Sequence, residues 1–191
     1  HGGDGMECAI DHEDSTYSYA TVYYGSIYRM KNHDNTFQVA GNGVFGINEG
    51  GAWVTPFCLA EHDANTMFVG YTNVWRCENV KSYSPTWKNI SGSFSGGYCN
   101  VVEHSPADEN LFYVAKNNGW LYRSDNAMED DPVWIELTDE LPGSYTVTDI
   151  EAHPTNPDIV YLTMNFKVYK STDREMTWEY IFDKLPNVSL N

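Results

Sequence analysis

The chain repeats itself, and the repeat limits its fold more than any other feature. Thr36-Phe37, Thr86-Trp87, Val133-Trp134 and Thr177-Trp178 each close a similar run, with aromatics 50, 47 and 44 residues apart. Upstream of each stands an aromatic followed by a cation: Tyr28-Arg29, Trp75-Arg76, Tyr122-Arg123 and Tyr169-Lys170. Further upstream lie short β-rich runs at 17–23, 67–71, 111–115 and 159–163, and each unit opens with another at 8–11, 57–61, 101–104 and 150–153. Turn formers separate the first two runs, as in His153-Pro154-Thr155-Asn156-Pro157-Asp158. Every unit therefore reads as four short strands joined by turns, and no stretch carries a 3.6-residue apolar period.

Four antiparallel strands recurring every 44 to 50 residues are what a β-propeller blade requires. The expectation is an all-β segment of four four-stranded blades, approximately 6–40, 53–91, 98–139 and 146–184, within one propeller region spanning 1–191. Four blades imply an excerpt of a larger propeller or an open arc, whose strand edges further blades or another copy of the chain would cover. The opening His1 fits an excerpt or a processed end. Charge narrows the partners: 11 Lys and Arg against 27 Asp and Glu leave −16. Such a polyanion is repelled by nucleic acid and by anionic lipid, and no apolar run approaches the roughly 20 residues of a membrane span.

The last unit contains Ser171-Thr172-Asp173-Arg174-Glu175-Met176-Thr177-Trp178. This resembles the Asp-box, S-x-D-x-G-x-T-W, of BNR, sialidase-like and sortilin-like propellers, with Glu175 where the family prefers Gly. The third unit keeps Ser124, Asp125 and Trp134 over a longer interval; the second offers Cys77 and Asn79, and the first Asn32 and Phe37. The phrases at 153–163, 167–178 and 185–191 are similar to repeats of large secreted Bacteroidetes-type proteins, and xyloglucanase-like propellers are similar as well. The resemblance implies that Ser124, Asp125, Trp134, Ser171, Asp173 and Trp178 build hairpins rather than perform chemistry, short polar side chains bonding turn amides while Trp packs between strands.

Catalytic constellations are missing where the resemblance would place them. A sialidase clasps its substrate carboxylate with several arginines, yet Arg29, Arg76 and Arg123 share one repeat register, and Arg174 lies inside a box. Xyloglucanase-like propellers place a catalytic Asp just before the third strand; the matching stretches at 22–25, 72–73, 117–119 and 165–166 hold no carboxylate. Asp4 and Asp11 remain as acidic candidates, with turn or blade-entry roles weighing more. His12, His62, His104 and His153 repeat beside the first turns instead of converging, so no metal centre is expected; the carboxylate count admits calcium, although no D-x-D-x-D-G loop is present. Cys8, Cys58, Val101 and Ile150 align as one buried position of the innermost strand. A Cys8–Cys58 or Cys77–Cys99 disulfide would need an oxidising compartment.

The loops between second and third strands, and those between blades, gather on the axial faces. They carry Tyr23, Tyr24, Trp53, Tyr71, Phe94, Tyr98, Trp120, Tyr145 and Phe166. Tyr24, Trp53, Tyr71, Tyr98, Trp120 and Tyr145 are the candidate ligand contacts, since exposed rings stack on sugars or anchor protein partners. The expectation is a secreted or cell-surface module without catalytic activity that binds carbohydrate or an extracellular protein. A lobe of a polysaccharide-active glycoside hydrolase and a purely structural spacer are the alternatives.

Overall fold

A computed structural model describes residues 5–32, 34–174 and 176–181 (backbone only at 34 and 35). Four separate four-stranded antiparallel sheets follow one another along the chain, each ordered as the chain runs. The first comprises β1 (Gly5–Ile10), β2 (Tyr17–Val22), β3 (Ser26–Lys31) and β4 (Asp34–Ala40). The second comprises β5 (Phe57–Ala60), β6 (Asp63–Gly70), β7 (Val74–Cys77) and β8 (Trp87–Asn89). The third is built from β9 (Cys99–His104), β10 (Phe112–Lys116), β11 (Leu121–Ser124) and β12 (Ile135–Glu136). The fourth is β13 (Val147–Ala152), β14 (Val160–Met164), β15 (Lys167–Ser171) and β16 (Glu179–Tyr180). The architecture is an all-β propeller segment, and the four sheets do not close a ring. Among the described residues, helix is confined to two 3-10 turns, Tyr23–Gly25 and Thr138–Glu140.

Sheets covered on both faces lose the polar alternation of half-exposed strands, and β10 and β11 are buried along their whole length. The core accordingly lies between neighbouring sheets. Tyr19, Ile27, Met67 and Trp75 fill the space between the first two blades, Phe68, Phe112 and Tyr122 the next, and Leu121, Leu162 and Tyr169 the last. Each such side chain contributes roughly 1.5–3 kcal/mol by leaving water.

Polar side chains repeat across the same spaces. Arg29 Nη1 donates to the carbonyls of Val80 (2.7 Å) and Ser82 (2.8 Å) in the following blade. Arg76 makes the equivalent pair of bonds to Ala127 and Glu129, and Arg123 reaches the carbonyl of Arg174. In the opposite direction, Trp87 Nε1 donates to Val39 O (2.8 Å) and Trp134 Nε1 to Ile90 O (2.9 Å). The arginine register thus joins blades together. Trp178 packs on the last core, but its buried indole N–H has no acceptor among the described residues.

Three turns joining third to fourth strands are latched alike. Asp173 Oδ1 accepts the Ser171 hydroxyl (2.8 Å) and the Thr177 amide (2.9 Å). Asn79 Oδ1 accepts the Cys77 thiol (3.2 Å) and the Thr86 amide (2.8 Å). In the third blade the side chain in this role is Asn126, which accepts the Ser124 hydroxyl (3.1 Å) and the Val133 amide (2.8 Å). The expectation for Asp125 is corrected: one residue earlier, it points to Arg123 and Arg174 instead.

The expected shared, buried register of Cys8 and Cys58 is also corrected. All four thiols are free. Cys58 pairs with Phe68, which pairs with Arg76, whereas Cys8 pairs with Ala20 and then Tyr28, one residue away from the arginine register. Because strand side chains alternate, that slip puts the two on opposite faces. Cys8 is exposed, while Cys77 and Cys99 are buried.

Candidate ligand-binding face

Up-and-down connectivity places the turns between second and third strands at the same sheet ends as the loops leading into each new blade. Backbone and side-chain bonds sew these together: Tyr24 N–H to Trp53 O (3.3 Å), Cys99 N–H to Tyr71 O (2.8 Å), Asn117 N–H to Tyr98 O (2.9 Å) and the Thr146 hydroxyl to Asn117 O (3.3 Å). The result is one face carrying aromatic rings from all four blades.

Its best-formed feature is a three-ring cluster. Tyr23 stacks on Trp53 with centroids 5.3 Å apart and planes 17° from parallel. Tyr24 meets Trp53 edge-on at 5.3 Å and 88°. The rings are nonetheless open to solvent, Tyr24 at 54% and Trp53 at 50%. Tyr24 holds φ at 61°, in the left-handed region, which costs a non-glycine residue on the order of 1–2 kcal/mol. Gly25 beside it has φ 76°, and a Cβ there would stand 2.4 Å from Tyr71 Cε1, so glycine is required twice over.

The expectation that Tyr71 contacts a ligand is corrected. It is 0% exposed and donates its hydroxyl to Gly25 O at 2.7 Å, supporting the cluster from below. Burial raises its phenol far above the ordinary tyrosine range. Tyr98 and Tyr145 are exposed, whereas Trp120 is half-buried on Tyr122, which stacks in turn on Phe94 at 4.2 Å. Trp120, Leu141 and Gly143 line a cavity of about 280 Å³ between the third blade's turn at 118–120 and the connector leaving that blade. Phe166 is 87% exposed at φ 59°, a further aromatic held at positive φ on a turn.

Two charged residues that sequence reasoning missed lie beneath this face. Glu49 accepts the Trp75 indole N–H (2.5 Å) and the Asn73 amide (3.1 Å), fixing the second blade's turn. Lys116 is fully buried, donates to Thr72 O (2.9 Å) and lies over the Phe94 ring. Desolvation pulls its pKa below the usual lysine value. The only signal for Lys116 was a cation closing the apolar run Phe112–Ala115; Glu49 sits in an irregular stretch without pattern.

The acidic candidates do not join the aromatic face. Asp4 lies outside the described residues. Asp11 is fully buried at the far end of β1, where Oδ1 accepts the amides of Glu13 (2.9 Å) and Asp14 (2.8 Å) and Oδ2 pairs with Lys81 (2.7 Å). It shapes a turn and is not open to a substrate. Among the described residues, no three His, Cys, Asp or Glu side chains converge as a metal site. No described helix is long and apolar enough to cross a membrane.

No family model and no curated protein matches the sequence. Solved structures do match in fold. An ancestral GH74 enzyme aligns with 94% of this chain and 24% of its own, at TM-score 0.70 and 16% identity. The GH74 xyloglucanase from Xanthomonas campestris aligns over 94% and 30%, at 0.65 and 13%. An auxiliary nutrient binding protein from Bacteroides thetaiotaomicron aligns over 93% and 42%, at 0.65 and 14%. The chain thus spans less than half the length of each of these three proteins, and the likeness establishes that it is a propeller segment.

Proposed function

We propose that this chain is a secreted or cell-surface propeller module without catalytic activity, which binds carbohydrate on its aromatic face. The observation that carries the reading is the preformed cluster of Tyr23, Tyr24 and Trp53, solvent-open although held at a backbone cost. Rigid rings give a sugar face contact area with little entropy to lose on binding. Tyr98, Tyr145 and the cavity beside Trp120 extend the surface along the same face, which suits a polymer met outside the cell. Similarity to a xyloglucanase and a nutrient binding protein supports the substrate class. Further blades or a second copy complete the ring.

Affinity electrophoresis through neutral β-glucans tests this. Retardation of the wild-type chain, with an affinity loss of about tenfold or more in Trp53→Ala and Tyr24→Ala, is the expected result. Binding unchanged in both variants, or retention by no glycan, sinks the reading and leaves the spacer role.

The second reading, a hydrolase lobe, is favoured by the fold likeness to two GH74 enzymes. It needs two carboxyl groups about the scissile bond, so a partner lobe would have to supply at least one. Reducing-end release from xyloglucan by this chain, lost in Asp4→Asn, would establish it over the binding role.

A further inference from the structure

Arg29, Arg76 and Arg123 share one register, but the residue two positions on does not stay constant. Glu78 pairs with Arg76 Nη2 at 2.7 Å, and Asp125 with Arg123 Nη2 at 3.0 Å. In the first blade that place belongs to Lys31. Arg29 is 4% exposed, its Nη1 bonds two carbonyls, and no described carboxylate pairs with it. The acid that balances this guanidinium twice elsewhere has become a second cation.

A cavity of about 420 Å³ opens there, between the first two blades. Arg29, Lys31 and Lys81 line it together with Tyr17, Phe37 and Tyr83, and none of the described lining residues is acidic. The guanidinium carbon lies 5.1 Å from the Phe37 ring, 5.4 Å from Tyr83 and 5.8 Å from Tyr17, while Lys31 Nζ is 4.8 Å from Tyr17. Two carboxylates act on these cations from outside: Asp11 pairs with Lys81 at 2.7 Å, and Asp14, bonded to Thr16, attracts both lysines. Among the described side chains, three cations thus face two carboxylates. The corresponding cavity one blade on is internally balanced, Arg76 and Lys88 facing Glu78 and Asp130.

A cation held at low dielectric without a counter-ion draws an anion, and a guanidinium fork suits the planar or tetrahedral oxygens of carboxylate and sulfate. We propose that this cavity binds the oxyanion of an acidic sugar unit, a uronate or a sulfate ester, between Arg29 and Lys31, with the exposed Tyr83 ring beneath the sugar. It lies at the opposite sheet ends from the aromatic face and stands independently of that reading.

Calorimetry on the whole chain at low salt tests it, with glucuronate, glucose 6-sulfate, inorganic sulfate and glucose as probes. Glucuronate or the sulfated sugar should bind at one site, weaken as salt rises and exceed glucose. Lys31→Glu installs the acid that the next two blades use, so it should fold normally and lose at least about tenfold in affinity. Glu78→Lys should open a second site and raise the stoichiometry towards two. Affinity unaltered in Lys31→Glu, or no anion binding at low salt, overturns the site. Inorganic sulfate binding as tightly as the sulfated sugar overturns the saccharide assignment.

Discussion

Removing one arginine that bridges two blades should cost more than any surface ion pair in this chain. Arg76 is the clearest case. It is 5% exposed, and Nη1 serves two carbonyls, Ala127 O in a fully buried residue and Glu129 O at 3.0 Å. Each hydrogen bond from a charged donor is worth roughly 1.5–3 kcal/mol, and the carbonyls left behind lose their donor where water reaches poorly. Relief from burying a charge offsets part of this, so Arg76→Ala should destabilise by about 3–4 kcal/mol. The Glu78 pair behaves differently: its side chain is 59% exposed, and Glu78→Ala should cost no more than about 1 kcal/mol. Arg76→Lys should recover less than half of the loss, because a single ammonium cannot fork between two carbonyls. Urea unfolding followed by tryptophan fluorescence measures all three variants. Equal costs for Arg76→Ala and Glu78→Ala, or an Arg76→Ala cost below about 1 kcal/mol, would refute the argument that the carbonyl bonds hold the blades.

Other perturbations follow from single contacts. Burial raises the Glu103 carboxyl from 4.5 to about 8, although the Ala152 amide donates to it at 3.0 Å. Between those values the fold retains a proton that the unfolded chain releases, so stability falls as pH rises from 4.5 and levels off above about 8. Glu103→Gln keeps an acceptor for that amide; it should flatten this slope and gain on the order of 2 kcal/mol at pH 9, below the full linkage limit because the side chain is only partly buried. Denaturation curves at pH 5 and pH 9 that differ equally in wild type and variant would contradict it. Gly25→Ala should destabilise by about 2–4 kcal/mol through positive φ and the clash with Tyr71, and weaken glycan retention with it; an unchanged melting temperature would refute the crowding. Trp87→Phe keeps most of the packing but strips the donor from Val39 O, for a loss of about 1–2 kcal/mol in urea unfolding; a loss under a few tenths would show that this bond adds nothing.

The blades were legible because strand, turn and aromatic recur in one order, and local pattern and global fold agree there. What escaped depended on register and reach. A slip of one residue separates Asp125 from Asn126: both are short and polar, and only the backbone decides which side chain turns inward. The same kind of slip aligned Cys8 with Cys58 across strands of different face. Tyr24 and Tyr71 occupy comparable loops, yet Tyr71 finds Gly25 O and disappears into the core, a contact 46 residues away in sequence that composition cannot show. The arginines were recognised as a repeat, but their targets lie about 50 residues on, in the next blade. Among the candidate contacts, the exposure of Tyr24, Trp53, Tyr98 and Tyr145 was readable from loop position; Glu49 and Lys116 were not, since long-range bonds distinguish the first and burial the second.

The bonds between blades have a direction. Arginines point forward across all three junctions and Trp87 and Trp134 point back across the first two, so the joined sides are unlike, one completing the other. Stacking of this kind is heterologous: a copy placed face to face by a two-fold axis would set arginine against arginine and carbonyl against carbonyl. Any blade that joins either end must therefore arrive in the same orientation, head to tail. The rotation between successive blades alone then determines whether such a series closes into a ring or winds onward as a spiral.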